Sequence, residues 1–429
     1  MVGKKNVLFS GFMLFSLFFG AGNLIFPPFL GMESGNAFVA AITGFILTAV
    51  LLPFLTIISI ALSKNGLLSI GQRVHPVFGL IFSIIIYMSI GAFYGIPRAS
   101  NVAYELGFMQ VFSIEGRLPL LLFSVAFFTL TYVLSINPKK MIDRVGQVLT
   151  PALLVVLAVL FVKAFLTFSY SDVPAAEKYQ RAPFLNGFFE GYFTMDAVAA
   201  LAFGIVIING LKDKGATRKK DLIRGTISAG FIASVCLTIV YLSLSWIGRV
   251  LPHDEPLKNG AEILVLASQQ LFGYGGNVLF GTIVILACIT TCVGLTNACA
   301  RFFNEILPRV SYERYVFIFV VIGMFFTNLG LDLILQIAVP LLVFIYPISI
   351  VLVILSIFQH FFGESRKMYV FAVSVAAVFS IYEVLSTFGV RLSGLDSILN
   401  VLPLYENSLG WTLPVLLAAV IGYVLDFRR

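Results

Sequence analysis

Long runs of apolar residues alternate with short polar segments from one end of the chain to the other. Runs of roughly 18 or more apolar residues recur, and a helix of about 20 residues crosses a hydrocarbon core about 30 Å thick. The alternation with a period of two that the strands of an outer-membrane barrel show is absent from these runs. The pattern predicts an all-α integral membrane protein of about twelve transmembrane helices, near residues 7–30, 37–63, 77–97, 118–136, 145–168, 192–211, 222–250, 277–303, 315–328, 333–358, 368–388 and 409–425.

The composition agrees with a chain that lies in a bilayer. Apolar residues make up 59% of the 429 positions and charged residues 11%, against roughly 25% charged residues in soluble domains. The first run follows two lysines, as a signal peptide would, but it contains Asn23, Pro27 and Pro28 and lacks a small-residue cleavage site. We therefore expect it to be retained as the first helix, and we expect a single polytopic domain over residues 1–429.

The net charge of +7 would suggest a nucleic-acid partner in a soluble protein, but the positions of the charges indicate another role. With the N-terminus in the cytoplasm, most lysines and arginines fall in segments on the cytoplasmic side, whereas the acids favour the other side. Arg98, just beyond the third predicted helix, falls in an external segment. The distribution predicts an inner-membrane protein with both termini in the cytoplasm and no nucleic-acid partner.

The first predicted helix is interrupted by Gly20, Ala21, Gly22 and Asn23 and ends at two prolines. Backbone groups left unpaired at mid-membrane persist only where protein or a water-filled cavity satisfies them, so such a break points to a transporter binding site. The same glycines also suit close packing between helices, and the motif alone does not decide between the two interpretations.

The sixth predicted helix carries Asp196, the one acid inside an apolar span in the first half of the chain. A carboxylate at that depth costs at least about 2.5 to 3.5 kcal/mol on the insertion scale, so we interpret Asp196 as functional. The alternatives are a structural partner, such as a helix N-terminus or a basic side chain, or a position nearer the outer interface.

The eighth predicted helix contains Ala287, Thr290 and Thr291 at a spacing that places them on nearly the same face. Hard cations such as sodium prefer oxygen ligands, and two hydroxyls together with carbonyls of a broken helix would supply them. Paired threonines also donate to carbonyls of their own helix with no ligand present. Until a second element is shown to converge on them, that local role is the better interpretation.

Several of these segments, in order along the chain, resemble the branched-chain amino acid:cation symporter family, within the larger group that has the leucine-transporter fold. The segments that carry the resemblance are residues 18–28 (FFGAGNLIFPP), 95–100 (GIPRAS), 137–144 (NPKKMIDR), 192–204 (YFTMDAVAALAFG), 286–297 (LACITTCVGLTN) and 339–347 (VPLLVFIYP).

The resemblance implies two inverted five-helix repeats, over residues 1–170 and 186–360, with two appended helices over residues 365–429. The first helix of each repeat, helix 1 and helix 6, would be the broken one. In that fold, backbone amides near Gly20, Ala21, Gly22 and Asn23 would bind the substrate carboxylate, helped by the positive end of a half-helix.

The resemblance also implies ligands for a coupling ion and for the substrate. A sodium site would use carbonyls of the first helix with a carbonyl and two hydroxyls of the eighth: Ser16, Phe19, Ala287, Thr290 and Thr291. Tyr94 is the candidate tyrosine near the carboxylate. Asp196 departs from the amino-acid carriers of the wider fold. From their positions in the sixth helix we group Thr194 and Asp196 with the substrate, and Phe203 and Leu201 are candidates to line its apolar pocket.

The predicted function is secondary active symport of leucine, isoleucine or valine with sodium or a proton, by alternating access and without a cofactor. The alternative is a cation-coupled carrier of another small amino acid or amine with the same fold. The glycine-rich stretch at residues 273–276 lacks the residues of a nucleotide-binding P-loop. An enzyme is not expected, because only Asp196 is well placed for chemistry, and two unlike broken helices suit a closed site better than a channel.

Overall fold

The computed structural model describes residues 3–427 except 113, 115, 141, 170–172, 253–256, 258, 364, 391–398, 400, 401 and 403–408. Within these residues the chain is helical, with turns and short connections but no strand. This confirms the all-α prediction for the described part of the chain.

Twenty α-helices, labelled here in chain order, make up most of the described chain. They are α1 (Lys4–Phe18), α2 (Ala21–Ser34), α3 (Phe38–Ile46), α4 (Leu52–Leu62), α5 (Gly66–Gly71), α6 (Pro76–Met88), α7 (Gly95–Val102), α8 (Met109–Phe112), α9 (Arg117–Ser135), α10 (Thr150–Thr167), α11 (Glu177–Arg181), α12 (Pro183–Tyr192), α13 (Asp196–Asp213), α14 (Lys219–Val250), α15 (Gly260–Phe272), α16 (Tyr274–Ile306), α17 (Tyr312–Thr327), α18 (Leu331–Phe362), α19 (Arg366–Thr387) and α20 (Thr412–Phe427). Wider π-helical turns lie at Leu47–Leu51, Ser89–Phe93, Ala103–Phe108 and Ile142–Leu149, and 3-10 turns at Gly35–Ala37 and Pro138–Lys140.

Eight helical runs of the described chain are long and apolar enough to cross a membrane, or up to nine if the bent pair α12 and α13 forms one span. The shorter helix α1 and the beginning of the run Gly22–Leu62 occupy the place of the first predicted span, and the shorter helix α20 occupies that of the last. The total of twelve transmembrane helices stays a prediction.

Three predicted boundaries are wrong. The first helix does not end at Pro27 and Pro28, because α2 continues through both prolines to Ser34. The third span does not end near Pro97, because the helical run continues through π-helical turns to Phe112. Pro97 lies in the first turn of α7. A backbone N–H in the first turn has no partner within the helix, so a proline, which lacks the N–H, has little cost there. The sixth span begins at Pro183, nine residues before the predicted start. In addition, α15 occupies much of the predicted loop at residues 251–275.

The first and sixth predicted helices are both interrupted. Between α1 and α2, Phe19 leaves helical geometry (φ −71°, ψ 83°) and Gly20 is extended (φ −115°, ψ −159°). Between α12 and α13, Met195 adopts a left-handed conformation with φ 64°, the only positive φ among the described residues other than glycine. Such a conformation costs on the order of 1 to 3 kcal/mol and persists only where the surrounding structure imposes it.

The two interrupted helices lie at the centre of the bundle. The helix α1 packs against α13, α14 and α16, and α2 packs against α14 and α15. The helix α12 packs against α3, while α19 and α20 form a pair that packs against α18 through α19. Hydrogen bonds from Arg73 to Tyr369 and from Arg366 to the Val74 carbonyl also join α19 to the segment between α5 and α6. Tyr346 in α18 donates its hydroxyl to the carbonyl of Tyr192 at 2.9 Å. That bond satisfies one of the carbonyls exposed where α12 ends.

Candidate substrate and cation site

One small cavity lies where the two helix breaks meet. Its volume is about 90 Å³, which is room for a small molecule and not for a macromolecular segment. The broken helices α1, α2 and α13 form part of its wall, with α7 and α16 on other sides. The lining residues are Leu17, Phe18, Gly20, Gly22, Asn23, Ile90, Tyr94, Gly95, Arg98, Ala99, Thr194, Met195, Asp196, Ala199, Phe203, Thr291, Leu295 and Leu342.

A buried network of neutral donors holds the Asp196 carboxylate. Asp196 is 4% exposed, and its Oδ2 accepts hydrogen bonds from Asn23 Nδ2 at 2.6 Å and from the Tyr241 hydroxyl at 3.0 Å. Asn23 Nδ2 also donates to the Tyr241 hydroxyl. Asp196 is the first residue of α13, so the positive end of that helix further favours its negative charge. The network therefore joins the two broken helices to each other through α14.

The break in the first helix is also capped from within. Asn23 Oδ1 accepts a hydrogen bond from the Gly20 backbone N–H at 3.2 Å, which satisfies a donor freed where α1 ends. Asn23 thus uses both ends of its amide, one on the backbone of the break and one on Asp196.

A second group of oxygens lies between α1 and α16. The Thr290 hydroxyl is 3.0 Å from the Ser16 carbonyl oxygen and 2.9 Å from the Ala287 carbonyl oxygen. The Thr291 hydroxyl is 3.2 Å from the Leu17 carbonyl oxygen and 3.5 Å from that of Ser16. Thr290 also donates to the carbonyl of Leu286 in its own helix, so the local hydrogen bond expected of paired threonines is present as well.

These oxygens suit a hard monovalent cation in type, because all are neutral and none is sulfur or nitrogen. The Ser16 hydroxyl is buried and has no hydrogen-bond partner among the described residues, which leaves a further oxygen unused beside them. Within the described part of the chain there is no cluster of three or more histidine, cysteine or acidic side chains that would suit a transition metal.

The oxygen group and the cavity share Leu17 and Thr291. Gly20 and Thr291 both line the cavity, and a Cβ on Gly20 would lie 3.0 Å from Thr291 Oγ1. A side chain at this position would press on Thr291, which would have to move by a few tenths of an ångström, so glycine favours the close approach of the break to α16. Whatever occupies the cavity therefore lies next to the hydroxyl of Thr291.

Tyr94 and Arg98 form the side of the cavity that belongs to α7. A kink at Gly91 (φ −88°, ψ −105°) precedes Tyr94, and α7 begins at Gly95. Arg98 Nη1 donates to the Tyr94 hydroxyl, and its guanidinium carbon is 5.1 Å from the centre of the Tyr94 ring. The kink thus turns both polar side chains towards the first helix break.

The structure places most of the sequence-predicted site residues in these two groups. Gly20, Gly22, Asn23, Tyr94, Thr194, Asp196 and Phe203 line the cavity, and Ser16, Ala287, Thr290 and Thr291 form the oxygen group. Ala21 begins α2, but its side chain lies outside the described residues. Phe19 is buried and stacks on Phe15, and no hydrogen bond among the described residues joins it to the threonines. Leu201 is buried but is not among the residues that line the cavity.

Sequence reasoning missed Arg98 and Tyr241. Arg98 was assigned to a segment beyond the third predicted span, whereas in the structure the helical run continues past it and its side chain lines the cavity. Tyr241 lies in the middle of an apolar run, and the need of a buried tyrosine hydroxyl for a partner was the one available signal. Leu17 was missed because backbone carbonyls carry no mark in a sequence.

A bundle with helices of membrane-spanning length and two broken helices around a small cavity with apolar and polar walls is typical of a multi-pass membrane transporter. Residues 3–429 match the sequence family described as branched-chain amino acid transport protein. The chain belongs to this family.

Relatives of known name cover nearly the whole chain. The branched-chain amino acid permease BraB of Bacillus subtilis (strain 168) is 42% identical over 424 residues, which are 98% of this chain and 95% of BraB. The branched-chain amino acid permease BrnQ of the same organism is 38% identical over 432 residues, covering 100% of this chain and 98% of BrnQ. The branched-chain amino acid transport system 2 carrier protein of Pseudomonas aeruginosa is 39% identical, covering 98% and 96% of the two chains.

Solved structures of more distant transporters share the fold. MHP1, a nucleobase-cation-symport-1 family transporter in a closed conformation with bromovinylhydantoin bound, matches with a TM-score of 0.59 at 13% identity over 98% of this chain and 92% of its own. A mutant of the manganese transporter of Eremococcus coleocola matches with the same score and identity over 100% of this chain and 96% of its own. At this identity the likeness concerns the fold alone.

Proposed function

We propose that this protein is a symporter that imports leucine, isoleucine and valine together with a cation. The observation that carries the proposal is that the cavity adjoins the oxygen group. Thr291 belongs to both, and Gly20 in the cavity wall lies against Thr291. Because a cation at the oxygen group and a substrate in the cavity would share these residues, each would stabilise the conformation that binds the other.

The cavity suits a small amino acid with an aliphatic side chain. Phe18 and Phe203 meet edge to face at 5.5 Å between ring centres and form part of its apolar wall, with Leu295 and Leu342 also in the lining. Asp196 is an acceptor for an ammonium group. The names of the relatives, which are permeases for branched-chain amino acids, support the same substrate class.

Sodium is the coupling ion that the oxygen group favours, and a proton is the alternative, with Asp196 as its site. Ser16, Ala287, Thr290 and Thr291 would hold sodium, with the Leu17 carbonyl beside them. The proposed transport cycle is alternating access between two inverted repeats, over residues 1–170 and 186–360. The protein would lie in the inner membrane with twelve spans and both termini in the cytoplasm.

The test is uptake of radiolabelled leucine into proteoliposomes that contain the purified protein, with sodium and pH gradients imposed separately. A sodium symporter accumulates leucine against its gradient when sodium is high outside, and an ionophore that collapses the sodium gradient abolishes accumulation. Accumulation that follows the pH gradient alone identifies the proton instead. Excess isoleucine and valine should compete with leucine. Competition by alanine or an amine, without competition by isoleucine and valine, would favour the alternative carrier.

A further inference from the structure

We propose that Arg98 binds the carboxylate of the transported amino acid, while Asp196 binds its ammonium group. The inference deepens the proposed function and rests on it, because it concerns how the same cavity recognises its substrate. Without Arg98, the backbone amides of the helix break and Tyr94 would be the only groups proposed to bind the carboxylate.

Arg98 lies beside the break in the first helix. Its Nη2 is 3.7 Å from the position that a Cβ on Gly22 would take, so the guanidinium is in ordinary contact distance of the break. It lines the same cavity as Asn23, Thr194 and Asp196. Arg98 belongs to a helical run, Pro76–Phe112, that is apolar enough to cross a membrane. A half-buried charge in such a run has to be explained, since a buried charge without an oppositely charged partner is costly.

No described residue forms an ion pair with the Arg98 guanidinium. Its polar partner is the Tyr94 hydroxyl, a neutral group, and Asp196 lies in the same cavity without reaching it. The Asp196 carboxylate is held instead by Asn23 and Tyr241, which are also neutral. The cavity therefore contains one positive and one negative side chain that lie within electrostatic range of each other but do not form an ion pair.

A zwitterionic amino acid brings one charge of each sign, so each of the two charged side chains would gain a partner of opposite charge. The substrate carboxylate would accept hydrogen bonds from Arg98, whose planar guanidinium presents two parallel N–H groups to a carboxylate. Because the Tyr94 hydroxyl accepts its hydrogen bond from Arg98, its own proton is available to the same carboxylate. With substrate bound, the cavity would hold two positive and two negative charges, so these four groups together would carry no net charge. The absence of net charge suits a site that opens in turn to the two faces of the membrane.

The test compares ligands that each lack one charge. Purified protein would be titrated with leucine, leucinamide, which lacks the carboxylate, and 4-methylpentanoate, which lacks the ammonium group, at saturating sodium. In the wild type we expect leucine to bind far more tightly than either analogue. In Arg98→Gln we expect leucine affinity to fall by about 100-fold, to the level of leucinamide, whose own affinity stays within about threefold.

Two further variants make the result specific. Arg98→Lys keeps the charge but loses the paired donors, so leucine affinity should fall by about tenfold and its advantage over leucinamide should shrink without vanishing. It also serves as the test if Arg98→Gln cannot be purified. Arg117→Gln, at the exposed start of α9, is the control and should leave all three affinities unchanged.

The proposal is overturned if Arg98→Gln or Arg98→Lys weakens leucine and leucinamide equally, or if either variant keeps the wild-type preference for leucine. Failure of the wild type to bind leucine at all would overturn the proposed function itself, and that result is read before any variant is made.

Discussion

Asp196 shows how a single residue connects the two helix breaks. Its carboxylate accepts from Asn23, which also binds the Gly20 backbone, and from Tyr241 in α14. Three elements thus meet on one buried oxygen. A change in the charge of that oxygen would alter hydrogen bonds at both breaks. A residue that responds to the binding of substrate or ion requires such a position.

We predict that Asp196 is needed for transport and not for folding. Asp196→Asn keeps the shape and still offers an oxygen to Asn23 and Tyr241, so the folded state should persist. Loss of the charge removes the counter-ion of the substrate ammonium, and leucine uptake in proteoliposomes should fall by about 100-fold. Membrane expression and the unfolding temperature in detergent should stay near those of the wild type. Full coupled transport by this variant would contradict the prediction and leave Asp196 with a structural role.

We also predict that Thr290 and Thr291 bind the coupling sodium. Thr290→Val and Thr291→Val keep the side-chain volume but remove one oxygen of the group. The sodium concentration for half-maximal leucine uptake should rise about tenfold, which corresponds to roughly 1.4 kcal/mol. Because ion and substrate are linked, leucine affinity at fixed sodium should also fall, and higher sodium should partly restore it.

Thr296→Val is the matched control for these two variants. Thr296 lies in the same helix, is fully buried, and its hydroxyl has no hydrogen-bond partner among the described residues. Its replacement should leave the sodium dependence unchanged. If Thr290→Val and Thr291→Val also leave it unchanged, or if wild-type uptake responds to pH alone, a proton carrier centred on Asp196 becomes the better account.

At the scale of helices, a cluster of charges joins the end of α2 to the last turn of α12, just before the second break. Lys178 in α11 lies 2.6 Å from Glu33 at the end of α2 and 3.3 Å from Glu190 in α12. Burial by itself lowers the pKa of Lys178, but the hydrogen bonds and negative charges of Glu33 and Glu190 outweigh burial, and its pKa lies above the ordinary value. Lys178 therefore stays charged and holds the two carboxylates, with their helices, together.

We predict that Lys178→Met destabilises the protein by about 1 kcal/mol, because Glu33 and Glu190 then repel each other without a cation between them. The measurement is the unfolding temperature of the purified protein in detergent. Replacing both acids as well, in the variant Lys178→Met, Glu33→Gln, Glu190→Gln, should restore most of the loss.

Arg181→Met in the same short helix provides the comparison for Lys178→Met. Arg181 pairs with Glu177 at 2.5 Å, but both side chains are 79% exposed, so this ion pair should contribute little. Equal effects of Lys178→Met and Arg181→Met would show that the cluster does not join the two helices energetically.

At the scale of the whole molecule, the fold persists where the sequence does not. Transporters that are 13% identical to this chain share its architecture over nearly all of its length. The bundle depends on the positions of apolar faces and helix breaks, which many sequences satisfy. Substrate specificity depends on a few side chains in one cavity, and these side chains can differ between transporters without loss of the fold.

We predict from the distribution of basic residues that the connection between α13 and α14 faces the cytoplasm and that the α11 region faces outward. In a background without the native cysteines, Thr217→Cys should resist an impermeant thiol reagent in intact cells, and Glu177→Cys should react. Both positions are exposed in the structure, so access differs only by the side of the membrane. Labelling of Thr217→Cys alone would reverse the orientation.

The sequence by itself indicated a chain of long apolar helices and a break near Gly20 to Asn23, because apolar length and helix-breaking residues are local properties of a chain. It also singled out Asn23, Asp196, Thr290 and Thr291, because polar groups in apolar runs are costly wherever the chain folds. It did not determine where the third helix ends. A proline such as Pro97 suggests a helix end in the sequence, and only the structure shows that it lies in the first turn of a following helix.

Only the tertiary structure decided which of these residues meet. Asn23 and Asp196 are 173 positions apart, and Thr290 is 274 positions from Ser16, yet each pair is joined by a hydrogen bond. The packing of α7 against the first break brought Arg98 into the cavity, and the packing of α14 brought Tyr241 to Asp196. Contacts between distant segments depend on how helices pack in three dimensions, and a hydropathy pattern records the depth of a residue but not its neighbours.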